Sequence, residues 1–376
     1  VIRRHLFVFG LSVFFAAVIS PCVSAGEKAA EDKLEELVAG TWEGYHATGG
    51  GVWRHSIDVR GTKSPGRFQG TATGYAWVIL REEQVERVKK RRRPNKKDIY
   101  YKSRLWFQQF QVTLDKGNLT FKGIRVKDVL GNGKGYQPDV FSGPMKAPGV
   151  LAGEIPNPKE KHETYLLARR EALESPPLTL EKGKTHKLTC LDDGTRHLSV
   201  YIPKSYSHTK KTPVLINCSP GGNAGPLSTK MAEELGWIMA GLGESKNGPL
   251  QPCVESIAAT MFDLRRRLNI DTKKLYFSGF SGGARVAAWA ALLLPDAQGV
   301  ICIGAGYLGD NRRFLPPHQA VCFIAGETDS GREETTMMYN AGKAAQKMKL
   351  IIHPGGHTWG RAEDHEAAVR WLASPE

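Results

Sequence analysis

Apolar positions along the chain follow two different rhythms. Between about residues 34 and 170 they alternate with polar ones. In 53–60, Trp53-Arg54-His55-Ser56-Ile57-Asp58-Val59-Arg60, every second position is fit for burial, the period of a half-buried strand. Phe110, Val112 and Leu114 alternate likewise. A turn at Asp115-Lys116-Gly117-Asn118 follows, and Leu119 and Phe121 resume the pattern, predicting a hairpin. Further strands are expected over 68–75, 150–155 and 164–168. Many short strands joined by Gly-rich turns describe an antiparallel barrel or sandwich. Residues 171–178, with Pro176-Pro177, read as a linker.

From 179 to 376 the alternation disappears. Near-continuous apolar strands are expected over 198–202, 213–218, 236–242, 274–278, 299–304, 320–324 and 349–353. Helices are expected over 256–268, 282–294, 333–348 and 363–372. Strand and helix take turns, and the strands lack a polar face. That is a mostly parallel sheet with helices on both faces. Neither half contains an internal repeat.

Composition narrows the class. The chain has 376 residues, 41% hydrophobic and 24% charged, enough to bury a sizeable core. These values exclude a disordered chain, a fibre, a coiled coil and a polytopic membrane protein. At the start, Arg3 and Arg4 precede an apolar run over 6–19. Pro21 breaks it, and Val23-Ser24-Ala25 precede Gly26. This describes a secretory signal peptide over 1–25, and so a secreted or periplasmic protein with no transmembrane segment after processing. Five cysteines follow the signal, Cys190, Cys218, Cys253, Cys302 and Cys322. An odd number at wide spacing is neither a disulfide framework nor a zinc motif. Buried thiols are expected, with a Cys190–Cys253 bridge the alternative.

The net charge of +14 invites a nucleic-acid reading until it is located. Seven of the positive charges lie in Lys89-Lys90-Arg91-Arg92-Arg93-Pro94-Asn95-Lys96-Lys97, and Arg3 and Arg4 leave with the signal. The remainder, about +5, is ordinary for a soluble domain. No helix-turn-helix, RNP or zinc pattern accompanies the run, so nucleic acid is not expected. A solvated loop is the plain expectation, and a tether to acidic polymer or anionic surface is the alternative. The opening Gly40-Thr41-Trp42 looks like the Gly-x-Trp start of lipocalin-like barrels, which allows a ligand cavity or a packed core. Trp42, Trp53, Trp77 and Trp106 suit a core better than sugar stacking.

The chemistry lies in the second half. Gly279-Phe280-Ser281-Gly282-Gly283 is a Gly-x-Ser-x-Gly segment with a strand leading in and an Ala-rich helix leading out. A nucleophile elbow needs that context, with glycines on either side making room for the crossing of strand and helix. A serine hydroxyl needs a base. His357 follows the last expected strand, in Pro354-Gly355-Gly356-His357-Thr358-Trp359-Gly360. The base needs an acid to hold its tautomer. Asp329 follows the strand over 320–324, with Glu327 a close competitor. The order Ser281, Asp329, His357 suits this architecture. An oxyanion hole would use the amide of Gly282 and that of Gly221 or Gly222, in Ser219-Pro220-Gly221-Gly222-Asn223-Ala224-Gly225. No metal or organic cofactor is required. His55, His162, His197, His318 and His365 show no ligand spacing.

Taken together, Gly279–Gly283, Gly326-x-x-Asp329 and Gly355-Gly356-His357-Thr358-Trp359 resemble the α/β-hydrolase superfamily over roughly the second half. The last piece is similar to secreted feruloyl-esterase and polyhydroxybutyrate-depolymerase-like enzymes. The resemblance implies an acyl-enzyme route on polysaccharide-linked feruloyl or acetyl esters, or on polyesters. Those relatives commonly carry His-Gly at the oxyanion loop, where this chain has Ser219-Pro220. A serine peptidase of the prolyl-oligopeptidase kind is the first alternative and would need a β-propeller. A surface- or carbohydrate-binding protein with an inactive hydrolase unit is the second.

Overall fold

The computed structural model describes residues 36, 38–48, 51–64, 66–79, 101–128, 138–147, 149–155, 163–170, 179–190, 196–247, 250–294, 296–306, 315, 318–344 and 346–374. The expected signal segment 1–25, the basic run 89–97 and the linker 171–178 lie outside the described residues.

Among the described residues the alternating half forms eight strands, β1 (Gly40–Thr48), β2 (Gly51–Gly61), β3 (Arg67–Ile79), β4 (Tyr101–Asp115), β5 (Asn118–Asp128), β6 (Val140–Ala147), β7 (Val150–Ile155) and β8 (Glu163–Arg169). Each pairs antiparallel with the next, and β8 returns to β1 with Trp42 opposite Arg169, closing a barrel. Of the two expected architectures, barrel and sandwich, the barrel is the one formed. Inward positions carry Trp42, Ile57, Phe110, Phe121, Phe141 and Leu167, all buried. Trp42 meets Phe121 edge-on with centroids 5.3 Å apart, and Phe110 stacks on Phe141 at 6.0 Å. The polar ends of the large rings are satisfied: Trp42 Nε1 donates to Val38 O at 2.8 Å, and Tyr165 Oη to Ser142 O at 2.8 Å. Trp42 is therefore core and offers no face to a sugar. A single closed barrel also lacks the blades that a prolyl-oligopeptidase-type reading requires.

The second half is one eight-stranded sheet in the order β16-β15-β14-β13-β11-β12-β10-β9. Its strands are β9 (Lys184–Thr189), β10 (His197–Ile202), β11 (Thr212–Cys218), β12 (Ile238–Leu242), β13 (Ile270–Phe280), β14 (Ala297–Ile303), β15 (Ala320–Gly326) and β16 (Met348–His353). The run from β12 through β11 to β16 is parallel, and β10 pairs antiparallel with both β9 and β12. The helices are α1 (Thr229–Leu235), α2 (Leu250–Arg267), α3 (Gly282–Leu293), α4 (Arg332–Gly342) and α5 (Ala362–Ala373). Residues of α2 and α3 share one core with one face of the sheet, and those of α1 and α5 share another with the opposite face. β9 and α1 were not expected from the sequence. The helix expected over 333–348 ends at Gly342, a residue that weakens a helix interior by about 1 kcal/mol.

The cysteines follow the apolar expectation: Cys190, Cys218, Cys253, Cys302 and Cys322 are buried, and no disulfide joins any two of them among the described residues. Burial pushes the thiols of Cys218 and Cys302 well above their ordinary range, and that of Cys322 up to about 12.

Barrel and sheet are joined by packing and by charge. Val150, Ala152 and Ala168 of the barrel belong to the same core as α2 and α3. At its edge Glu43 of β1 accepts from Arg265 of α2 at 2.8 Å and from Arg170 at 2.9 Å. Burial alone would raise the Glu43 carboxyl, but Arg265 and Arg170 outweigh it and hold it below the usual range. A folded value below the unfolded one means the pair stabilises at neutral pH. That contribution is lost as pH falls through the depressed folded value. Glu43→Gln should therefore lower stability at pH 7 by about 1–2 kcal/mol in urea unfolding, with the deficit shrinking towards pH 3.

Candidate active site

The chain leaves β11 for β12 on one side and returns through β13 towards β14 on the other. The loops after β11 and β13 therefore part at their shared carboxyl end, the crevice where open α/β sheets bind ligands. The loop after β11 is the Gly-rich 219–225 segment. Ser281 stands directly after β13.

Ser281 has φ 54° and ψ −120°, and Lys116 is the only other non-glycine with positive φ among the described residues. Such a conformation costs about 1–3 kcal/mol and persists only where its surroundings enforce it. Here they do so by close packing. A Cβ on Gly279 would collide with the Gly283 carbonyl, and one on Gly283 with the Cys218 carbonyl. The Ser281 amide is fixed by donating to Ile303 O at 2.8 Å. Both flanking glycines are thus required by backbone proximity. Because no rotamer can relieve a clash with a carbonyl, Gly283→Ala should cost about 3 kcal/mol in thermal or denaturant unfolding.

The partners come from two neighbouring loops. His357 lies in the loop between β16 and α5, and its Nε2 is 2.9 Å from Ser281 Oγ. Its Nδ1 is 2.8 Å from Asp329 Oδ1. Asp329 follows β15, and its side chain is fully buried. The same Oδ1 accepts from the Gly331 amide at 2.7 Å. An ionised carboxylate only accepts, so Nδ1 carries the proton and Nε2 is left to accept from the serine hydroxyl. The two loops are tied together: Thr328 N donates to Gly355 O at 2.9 Å and Glu327 N to His353 O at 2.9 Å. Glu327, the sequence competitor of Asp329, turns its side chain outward and is exposed.

Aromatic rings set the imidazole plane. Phe280 packs on His357 with centroids 4.8 Å apart, and Trp359 on Phe280 at 5.1 Å. Gly304 leaves the space that His357 and Asp329 occupy; a Cβ there would lie 3.1 Å from atoms of both. Behind Trp359 is a cavity of about 320 Å³ lined by Leu215, Met239, Ile301 and His365, with neither Ser281 nor His357 in its wall. Burial holds the His365 imidazole below its ordinary value despite its bond to the Trp359 carbonyl.

The amides proposed for an oxyanion differ in availability. Gly282 opens α3, where first-turn N–H groups have no intrahelical partner and the helix dipole favours negative charge. The Gly221 amide donates to Ser219 Oγ at 3.2 Å, a long bond. The Gly222 amide donates to Ser245 O at 2.7 Å and is taken. The sequence offers the two glycines equally, because nothing local marks which amide is used. Among the described residues no group of three or more His, Cys, Asp or Glu side chains is placed to hold a metal ion, and no helix is long and apolar enough to cross a membrane.

No family model matches the chain, and no curated protein matches it. Several solved structures do. A feruloyl esterase module from Clostridium thermocellum, in a mutant form complexed with sinapinate, is 15% identical over 54% of this chain and 92% of that chain, with a TM-score of 0.42. A hyperthermophilic esterase from the archaeon Pyrobaculum calidifontis is 14% identical over 54% of this chain and 87% of that chain, at 0.40. A bacterial heroin esterase is 17% identical over 50% of this chain and 82% of that chain, at 0.38.

Proposed function

We propose that the chain is a serine carboxylic-ester hydrolase of the α/β-hydrolase kind. The observation that carries this reading is the unbroken hydrogen-bond chain from Ser281 Oγ through His357 to Asp329, at 2.9 and 2.8 Å, with the serine held in a strained turn at a helix N-terminus. Ser281 Oγ attacks the ester carbonyl carbon while its proton passes to His357 Nε2. The carbonyl electron pair moves onto oxygen, where the amide of Gly282 at the start of α3 stabilises it. Asp329 steadies the imidazolium. The pair then returns, the bond to the alcohol oxygen breaks, and the alcohol leaves with the proton from His357. Water repeats the sequence on the acyl-enzyme and releases the acid.

Feruloyl or acetyl esters on polysaccharide, or polyester bonds, are the substrates we propose, from the resemblance carried by Gly355–Trp359. Export is part of the same reading, from Arg3, Arg4 and the apolar run that follows. The test is incubation of the purified protein with a fluorophosphonate probe, p-nitrophenyl acetate and methyl ferulate. Labelling at Ser281 with turnover of at least one ester is expected. Protein that neither labels nor turns over either ester would refute the reading.

A further inference from the structure

We infer that the side-chain amide of Asn247 is an oxyanion donor, acting beside the amide of Gly282. The inference rests on the esterase reading and adds a residue to it. The loop after β11 is a poor source of a second donor. Its Gly222 amide is bonded to Ser245 O, its Gly221 amide turns to Ser219 Oγ, and Pro220 has no N–H.

The segment that takes up Gly222 supplies another donor. Residues 245–247 run antiparallel beside the loop. Ser245 O accepts from Gly222, Lys246 bridges Gly221, and the Asn247 amide donates to Pro220 O at 3.0 Å. From the other side, Cys253 Sγ of α2 donates to Lys246 O at 3.6 Å. Bonded along both edges, the 245–247 segment fixes the Asn247 backbone beside the loop before any substrate arrives. Its carboxamide lies over Gly282. A Cβ on Gly282 would collide with Asn247 Oδ1 and lie 2.9 Å from Cγ. A side chain at position 282 would therefore push the Asn247 carboxamide aside.

The carboxamide is otherwise uncommitted. Asn247 is exposed, and its side chain hydrogen-bonds to none of the described residues. A half-turn about its last torsion exchanges Oδ1 and Nδ2, so the donor can face the reacting carbonyl. The ester oxygen is a weak acceptor in the ground state and gains a full charge as Ser281 attacks. A donor aimed at it therefore acts on the transition state and leaves binding nearly unchanged.

The experiment compares wild type, Asn247→Ala and Asn247→Asp on p-nitrophenyl acetate, together with inhibition by phenylboronic acid, which adds to a serine Oγ as a tetrahedral anion. For Asn247→Ala we expect kcat to fall about 10²–10³-fold, with KM within about twofold and an unchanged Tm. Asn247→Asp should fall at least as far, because a carboxylate repels the oxyanion. Boronate affinity should drop in both. Asn247→Ala with kcat within about threefold of wild type would overturn the inference. So would a loss of kcat with boronate affinity intact, because that makes Asn247 a brace for the loop. A wild-type protein without esterase activity overturns the esterase reading itself and this inference with it.

Discussion

Ser281→Ala should lower kcat on p-nitrophenyl acetate by on the order of 10⁴-fold or more and abolish fluorophosphonate labelling. The protein should still fold, because among the described residues the hydroxyl hydrogen-bonds only to His357 Nε2, on the exposed side of the imidazole. A second substitution at the same position separates chemistry from strain. The backbone there, at φ 54° and ψ −120°, disfavours any side chain. Ser281→Gly should be equally inactive yet more stable than Ser281→Ala by about 1 kcal/mol or more, read as a difference in denaturation midpoint. Equal stability of the two variants would mean that the turn holds no strain. Labelling that survives in Ser281→Ala would place the nucleophile elsewhere.

Asp329→Asn should be nearly as damaging, about 10⁴-fold in kcat, without a change of shape. The asparagine amide can donate to Nδ1, which moves the ring proton to Nε2. The serine hydroxyl then loses its acceptor. The structure provides a matched control two residues earlier. Glu327 takes part through its backbone alone, donating its amide to His353 O, while its carboxylate is exposed. Glu327→Gln should retain kcat within about twofold. If the outcomes were reversed, with Glu327→Gln inactive and Asp329→Asn intact, the acid would have to be reassigned.

The parts of this site that were legible in the sequence are those specified by short stretches of chain. The elbow is a local object: Gly279 and Gly283 are two residues either side of Ser281, and each is required by a backbone that passes beside it. His357 and Asp329 were legible because each directly follows an apolar strand, which fixes the end of the sheet they reach. What escaped depends on contacts distant in sequence. Alternation fixes which faces of β1 to β8 turn inward, but it is equally consistent with a sandwich. Closure is decided by β1 meeting β8, with Trp42 opposite Arg169. The spending of Gly222 on Ser245, and the delivery of Asn247 to Gly282, both follow from one loop lying beside another. No residue type announces such a pairing. The bond from Glu43 to Arg265, spanning 222 positions, is the extreme case.

The five buried thiols have a consequence for the life of the chain. In the folded state Cys218, Cys302 and Cys322 are held as neutral thiols inside the sheet, where neither oxidant nor partner thiol can reach a thiolate. Unfolding returns each to an ordinary titration range and to solvent, where thiolates form readily near pH 8. Oxidation of these thiols is therefore confined to the interval before folding finishes and to each later opening. In an oxidising compartment, survival would be decided by how quickly β11, β14 and β15 come together around these residues, and not by any native crosslink among them.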